Sequence, residues 1–225
     1  MENNSPILTK KQTSFLNKIG ENKFLSDTFY LTGGTALAAC YLFHRYSEDL
    51  DFFSEKEIDV LPLNVFLESV RKELKIRNID YQQSFNRNLF FLKYEDGQML
   101  KSEFTYYPFS RIERGDEKNN VKIDSLLDLA VNKLFTIYQR SQIKDYIDLY
   151  FICKEKNWTI AKLTKKARIK YDWQIDPLQL GTQFVKIKGL KDFPNMIKEM
   201  ALGEVEEFFV QEAKKLKKDI IELGE

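Results

Sequence analysis

A glycine pair followed by a hydroxyl, and two carboxylates one residue apart, are the groups in this chain whose spacing could do chemistry. The first is Leu31-Thr32-Gly33-Gly34-Thr35-Ala36-Leu37 and the second is Asp49-Leu50-Asp51-Phe52-Phe53. Gly33 and Gly34 have no Cβ, so the backbone there can turn sharply and bring its N–H groups against an anion. The apolar run Ala36 to Phe43 predicts a helix whose positive end faces the same place, which makes the loop a seat for phosphate. If the residues around Asp49 and Asp51 form a strand, its period of two puts both carboxylates on one face, roughly 7 Å apart at Cα. Two carboxylates so placed can reach metal ions about 3.5 to 4 Å apart, the arrangement that clamps the attacking and leaving oxygens in phosphoryl or nucleotidyl transfer.

A two-metal site calls for a third acidic group on a neighbouring strand, and Glu103 is the candidate. In Met99 to Thr105, alternation puts Leu100, Ser102 and Phe104 on one side and Lys101, Glu103 and Thr105 on the other. The competing reading is a solvated glutamate on a half-exposed strand. Further along, Lys133, Arg140 and Lys144 interrupt an apolar stripe at three-four spacing. They either lie along the core edge and pair with Asp145 and Asp148, or meet the phosphates of a nucleotide and offset charge on departing pyrophosphate. Asp145 and Asp148 share one helical face as partners of the helix dipole, as the base for an acceptor hydroxyl, or as the holders of a catalytic lysine. Arg45 and Ser47, just before the aspartates, are candidates for phosphate or base contact. His44, the one histidine, reads as structural or exposed.

These groups need positioning elements. The pattern predicts a helix over residues 8–25, a short strand at Phe29 to Leu31, the glycine loop, a helix, and the aspartate strand. A helix follows Pro62, with Val65, Phe66, Leu67, Val70 and Leu74 on its face. Two strands, Asn88 to Tyr94 and Met99 to Tyr107, flank Asp96-Gly97, a strong hairpin signal. Ser110 to Asn120 reads as a loop or solvated hairpin tip before a short strand at Val121 to Ile123. Strong helices follow over Leu126 to Gln139, capped by Asp124 or Ser125, and Ile143 to Lys154. From Trp158 on the pattern is helical, with Pro177 and Pro194 in first turns and Gly181, Gly189 and Gly203 as breaks. A soft boundary near Lys156 divides a core of residues 1–155 from a helical region of 156–225. That region mixes Lys162, Lys165, Lys166, Arg168 and Lys170 with Trp158, Tyr171, Trp173 and Phe184, which suits either a nucleic-acid surface or a solvated helix over a packed core. The last helix, with Phe208, Phe209, Ala213, Leu216, Ile220 and Leu223, is expected to close the core.

The chain of 225 residues is 43% hydrophobic, enough for a buried core. Its 35 basic and 34 acidic residues leave a net charge of +1, so nucleic-acid binding must come from local patches. Cys40 and Cys153 are far apart in apolar segments and read as buried free thiols. With one histidine and no paired cysteines, a zinc site is excluded. Met1 to Pro6 is polar, and no apolar run approaches the roughly 20 residues of a membrane span, so a cytoplasmic protein is expected.

Taken together, Leu31 to Leu37, His44-Arg45-Tyr46-Ser47-Glu48-Asp49-Leu50-Asp51-Phe52-Phe53, Asn132-Lys133-Leu134, Arg140 and Lys144-Asp145-Tyr146-Ile147-Asp148-Leu149 resemble the AbiEii/AbiGii toxin family of nucleotidyltransferases, in the DNA polymerase β superfamily. The resemblance runs from Phe29 to about Phe151. It implies an α/β fold with a mixed β-sheet core flanked by helices. Gly33, Gly34 and Thr35 would hold a nucleoside triphosphate, Asp49 and Asp51 would hold magnesium, Lys133 would meet the nucleotide phosphates, and Asp145 or Asp148 would match the later acidic motif. It further implies two magnesium ions, with manganese as a substitute, ATP, GTP or CTP as donor, a tRNA 3′ end as acceptor, and a winged-helix antitoxin as partner. Alternatives are a catalytically silent module that binds nucleotide or antitoxin, and transfer onto a protein hydroxyl. Thr35 stands where serine is common, and the C-terminal region is shorter than in many relatives.

Overall fold

The computed structural model describes residues 7–222, with side chains to residue 217. The expectations for Met1 to Pro6, for Leu223 and for the Ile220 side chain therefore lie outside the described residues. The chain divides after Ser125 into two compact units. The sequence reading puts a boundary near Lys156 instead. The difference arises because α5 (Leu126–Gln139) and α6 (Ile143–Lys156) pack on each other, and α5 also packs on α7 (Ile160–Tyr171) and α8 (Pro177–Val185).

The first unit opens with two helices where one was expected, α1 (Lys10–Glu21) and α2 (Lys23–Thr28). Asn22 makes the break: its N–H donates to the Ile19 carbonyl to close α1, and its side chain accepts from the Leu25 N–H to cap α2. Strand β1 (Tyr30–Thr32) then runs into a single helical turn, α3 (Gly33–Ala36), which continues as a π-helical stretch over Leu37–Leu42. That stretch ends at Phe43, whose φ of 52° is left-handed. The predicted helix is thus present, but it starts at the glycines and is wound more loosely than an α-helix. Strand β2 (Leu50–Ser54) starts immediately after Asp49. Helix α4 (Val60–Arg71), capped by Asp59, buries Leu63, Phe66, Leu67 and Val70, while Val65, expected in the core, is exposed.

Strands β4 (Arg87–Tyr94) and β5 (Met99–Tyr106) form the predicted hairpin, and β6 (Glu117–Lys118) with β7 (Val121–Ile123) form the solvated tip. Strand β3 (Ile76–Ser84) was not predicted, because Arg77-Asn78-Ile79-Asp80-Tyr81-Gln82-Gln83 shows no apolar alternation. It is an edge strand, specified by its antiparallel pairing to β4. The sheet is mixed, in the order β3-β4-β5-β2-β1-β7-β6, with β1 parallel to β7 and β2 parallel to β5. One face buries Leu50, Phe52, Phe90, Leu92, Leu100 and Phe104. Phe104 stacks on Phe52 with ring centroids 4.9 Å apart and meets Phe29 edge-on at 5.0 Å. The opposite face carries the polar groups.

The second unit is built from helices, with one long irregular stretch among its described residues. Pro177 occupies the first turn of α8 behind an Asp176 cap, as predicted, but Pro194 begins no helix. The chain is irregular from Leu190 until α9 (Leu202–Glu222), so Gly203 lies inside a first turn and Gly181 inside α8. Tyr171 and Phe184 are buried, and Lys170 is buried with Asp128, Nζ to Oδ1 2.6 Å. That takes three of the expected basic and aromatic surface groups into the core and leaves Trp173 exposed. Phe209 packs against Tyr146 and Phe184, so α9 closes the core of its unit.

Candidate active site

The glycine turn lies directly against the aspartate strand because β1 pairs antiparallel with β2, setting Thr32 opposite Asp51. Gly33 has φ +69°, and a Cβ there would overlap the Asp51 carboxylate, whose Cγ lies 3.1 Å from the ideal Cβ position. Both facts demand glycine: the first by backbone sterics, the second by the close approach. A Cβ on Gly34 would sit 2.5 Å from Arg45 Nη2 and 3.1 Å from Ser47 Oγ. The structure therefore gathers Gly33, Gly34, Arg45, Ser47 and Asp51 around one turn. Thr35 is buried, and its hydroxyl donates to the Asp49 carbonyl, which ties the loop to the start of β2. Gln12 Nε2 donates to the carbonyls of Ser47 (2.9 Å) and Glu48 (3.1 Å), fixing the segment that carries Arg45 into the aspartates. His44 is buried, as befits a structural residue.

Parallel pairing sets Asp51 beside Glu103 on β5, and Glu103 beside Leu89 on β4. Cross-strand neighbours share a face, so Asp51, Glu103 and Leu89 form one row on the open side of the sheet. Next to it, Lys101 pairs with Phe91 and Thr105 with Arg87. Lys101 Nζ lies 2.8 Å from Asp49 Oδ2 and 4.0 Å from Glu103 Oε2. Burial would lower the Lys101 ammonium pKa, but its bond to Asp49 and the surrounding carboxylates outweigh this and raise it, so it stays charged. Arg87 grips Glu103 with two bonds, Nε to Oε1 and Nη2 to Oε2, each 2.6 Å, and Thr105 Oγ1 donates to Oε1 at 2.8 Å. Burial alone would push the Glu103 carboxyl up; the Arg87 and Thr105 donors overcome it and hold the group below the usual carboxylate range.

These bonds decide which residues fit a divalent cation. Magnesium takes octahedral oxygen ligands and is commonly held by one or two carboxylates together with substrate phosphates and water. Asp49 and Asp51 meet that description, beside a turn whose missing Cβ lets the Asp51 carboxylate come up against the backbone. Glu103 fits poorly, since both its oxygens already accept charged hydrogen bonds. Among the described residues no group of three or more His, Cys, Asp or Glu is arranged to hold a metal ion. Sequence reasoning missed Lys101 and Arg87 as members of the site. Lys101 was legible from its alternation with Glu103, whereas Arg87 precedes the expected strand and needed the hairpin register.

In the second unit, α5 and α6 bring Lys133, Asp145 and Asp148 together. Lys133 Nζ lies 2.6 Å from Asp145 Oδ1 and 2.7 Å from Asp148 Oδ2, and all three residues are buried. Arg140 Nη2 approaches Asp145 Oδ2 at 3.8 Å from an exposed position. Lys144, expected on the same stripe, is exposed and has no ion pair among the described residues.

Residues 15–218 match the family described as nucleotidyl transferase AbiEii toxin, type IV toxin–antitoxin system. The chain belongs to this family. An uncharacterized protein of Aquifex aeolicus (strain VF5) is 31% identical over 210 residues, spanning 92% of this chain and 96% of its own length. Two Helicobacter pylori structures share the fold. One, described as a candidate nucleotidyltransferase, superposes with a TM-score of 0.61 at 21% identity over 96% of this chain and 99% of its own. The other, JHP933, gives 0.58 at 24% identity over 96% and 98%. This AbiEii chain is accordingly a nucleotidyltransferase of a toxin family. No helix among its described residues is long and apolar enough to cross a membrane.

Proposed function

We propose that this AbiEii protein moves a nucleoside monophosphate from an NTP to an acceptor hydroxyl of RNA, with a tRNA 3′ end as the favoured acceptor, and does so with magnesium. The observation that carries this is the apposition of the Gly33-Gly34 turn to Asp51, which sets phosphate-binding backbone against a metal-binding carboxylate. The acceptor hydroxyl gives up its proton to solvent water as its oxygen attacks the α-phosphorus, the bond from that phosphorus to the bridging oxygen breaks, and pyrophosphate leaves. Asp49 and Asp51 would hold magnesium, which when bound neutralises phosphate charge and favours the deprotonated acceptor hydroxyl. Gly33, Gly34, Arg45 and Ser47 would seat the triphosphate through N–H, hydroxyl and guanidinium donors, and Thr35, whose hydroxyl holds the Asp49 carbonyl, would fix the turn that presents them. Lys133, in the second unit, is the residue that matches the family's lysine. Its double pairing supports Asp145 and Asp148 as the groups that hold it, in preference to either serving as a base.

Incubation with each α-labelled NTP and total RNA should label RNA. Asp49→Ala and Asp51→Ala should each abolish labelling while the thermal transition is kept, and unchanged labelling by both would rule this site out. Label on a partner protein instead of RNA would redirect the acceptor. Expression of the native chain should arrest growth and the Asp51→Ala variant should not, as befits the toxin of a pair with a winged-helix antitoxin in the cytoplasm. Equal arrest by both would separate toxicity from transfer.

A further inference from the structure

Three features of the open sheet face call for a common explanation. Glu103 is buried and spends both oxygens on Arg87, although the Arg87 side chain is itself 50% exposed. The pair leaves three of the five guanidinium N–H groups without a partner among the described residues. Beside it, Leu89 and Phe91 project from β4 onto the same face and are only half-buried, flanked by Arg87 on one side and paired across to Lys101 on the other. A sheet face exposing an aromatic ring and an aliphatic side chain between two fixed cations matches the chemistry of single-stranded nucleic acid, whose bases stack and whose phosphates are anionic.

We infer that Glu103 is a positioning residue that presents Arg87 to a backbone phosphate of a single-stranded RNA acceptor, and that Phe91 and Leu89 form the platform on which its terminal bases lie. The inference rests on the nucleotidyl-transfer reading, because the Asp51–Glu103–Leu89 row places this platform immediately next to the carboxylate that would hold the metal. It also gives Glu103 a task other than metal ligation. The buried carboxylate orients the guanidinium plane, and a bidentate pair does this with a directionality that a lysine could not reproduce. The pairing of donors with a ring selects the occupant: each nucleotide of a single strand offers a phosphate for the remaining N–H groups of Arg87 and a base for the face of Phe91.

The test is binding of a fluorescent short single-stranded oligoribonucleotide to the full chain, without NTP or metal, across a salt series. Manganese binding by electron paramagnetic resonance is measured in parallel. Arg87→Met should weaken RNA binding and reduce the slope of log K against log salt by roughly 0.7, the loss of one single-strand phosphate contact. Phe91→Ala should weaken RNA binding roughly tenfold with the salt slope unchanged. Glu103→Gln should weaken RNA binding in the same direction as Arg87→Met and leave manganese binding intact. Arg87→Lys, which keeps the charge and loses the fork, should recover part of the salt slope and serves if the methionine variant fails to fold. RNA binding unchanged in both Arg87 variants would overturn the inference, as would loss of manganese binding in Glu103→Gln with RNA binding preserved. Failure of the transfer reading would appear elsewhere, as NTP labelling of RNA that survives loss of Asp49 and Asp51.

Discussion

Gly33 is the residue at which backbone conformation and site geometry meet most directly. Its left-handed φ and its contact with Asp51 impose two separate penalties on any side chain. Gly33→Ala should cost on the order of 1–2 kcal/mol from the backbone alone, read as a shift in the urea midpoint. It should also reduce transfer by more than the stability loss explains, because the new methyl group displaces the carboxylate. Transfer that falls only in proportion to the folded fraction would refute the second part. Glu103 makes a pH prediction. Its carboxyl is held below its ordinary value of 4.5 in the folded protein, so its pairing stabilises fully above that pH and is lost as pH falls through the lowered value. The stability gap between the native chain and Glu103→Gln should therefore be widest near neutrality and shrink below about pH 4.5, which urea titrations at two pH values can read.

At the scale of elements, the α5–α6 pair rests on a buried cation between two buried anions. Lys133→Met would remove the ammonium that Asp145 and Asp148 share, and removing one partner from such a site costs roughly 3–5 kcal/mol. Chemical denaturation should show this loss, so transfer by the variant must be compared at equal folded fraction. The same elements show what sequence could and could not reveal. Helices α5 and α6 were legible because their apolar stripes repeat at helical spacing, and the β4–β5 hairpin because Asp96-Gly97 sits between alternating strands. Strand β3 was not, since an edge strand wet on both faces carries no period and gets its conformation from its neighbour. The carboxylates of β2 were readable as a pair, yet the grip of Arg87 on Glu103 depends on a register between strands that spacing within one strand does not encode. Pro194 misled because proline suits a first helical turn and an irregular segment equally well.

For the molecule as a whole, burial sets the reactivity of its two thiols, of which Cys153 is buried as expected and Cys40 is only half-buried. It pushes Cys40 up to about 11 and Cys153 up to about 12, so the reactive thiolate is scarce at neutral pH. Alkylation of the native protein at pH 8 should be slow at both and become fast in denaturant; rapid modification of the native chain would contradict the burial.

The division after Ser125 also separates the sequence signatures of the family. The diglycine turn and the β2 carboxylates fall in one unit, the α5 lysine and its two aspartates in the other. Asp124, the residue before the seam's last serine, is fastened to the first unit by its N–H to the Leu31 carbonyl (2.8 Å), by the Thr32 hydroxyl (2.8 Å) and by the Tyr41 hydroxyl on its carbonyl (2.9 Å). A gene cut between the codons for Ser125 and Leu126 would thus yield two polypeptides, one with the diglycine turn, the β2 carboxylates and the Asp124 clasp intact, the other with Lys133, Asp145 and Asp148.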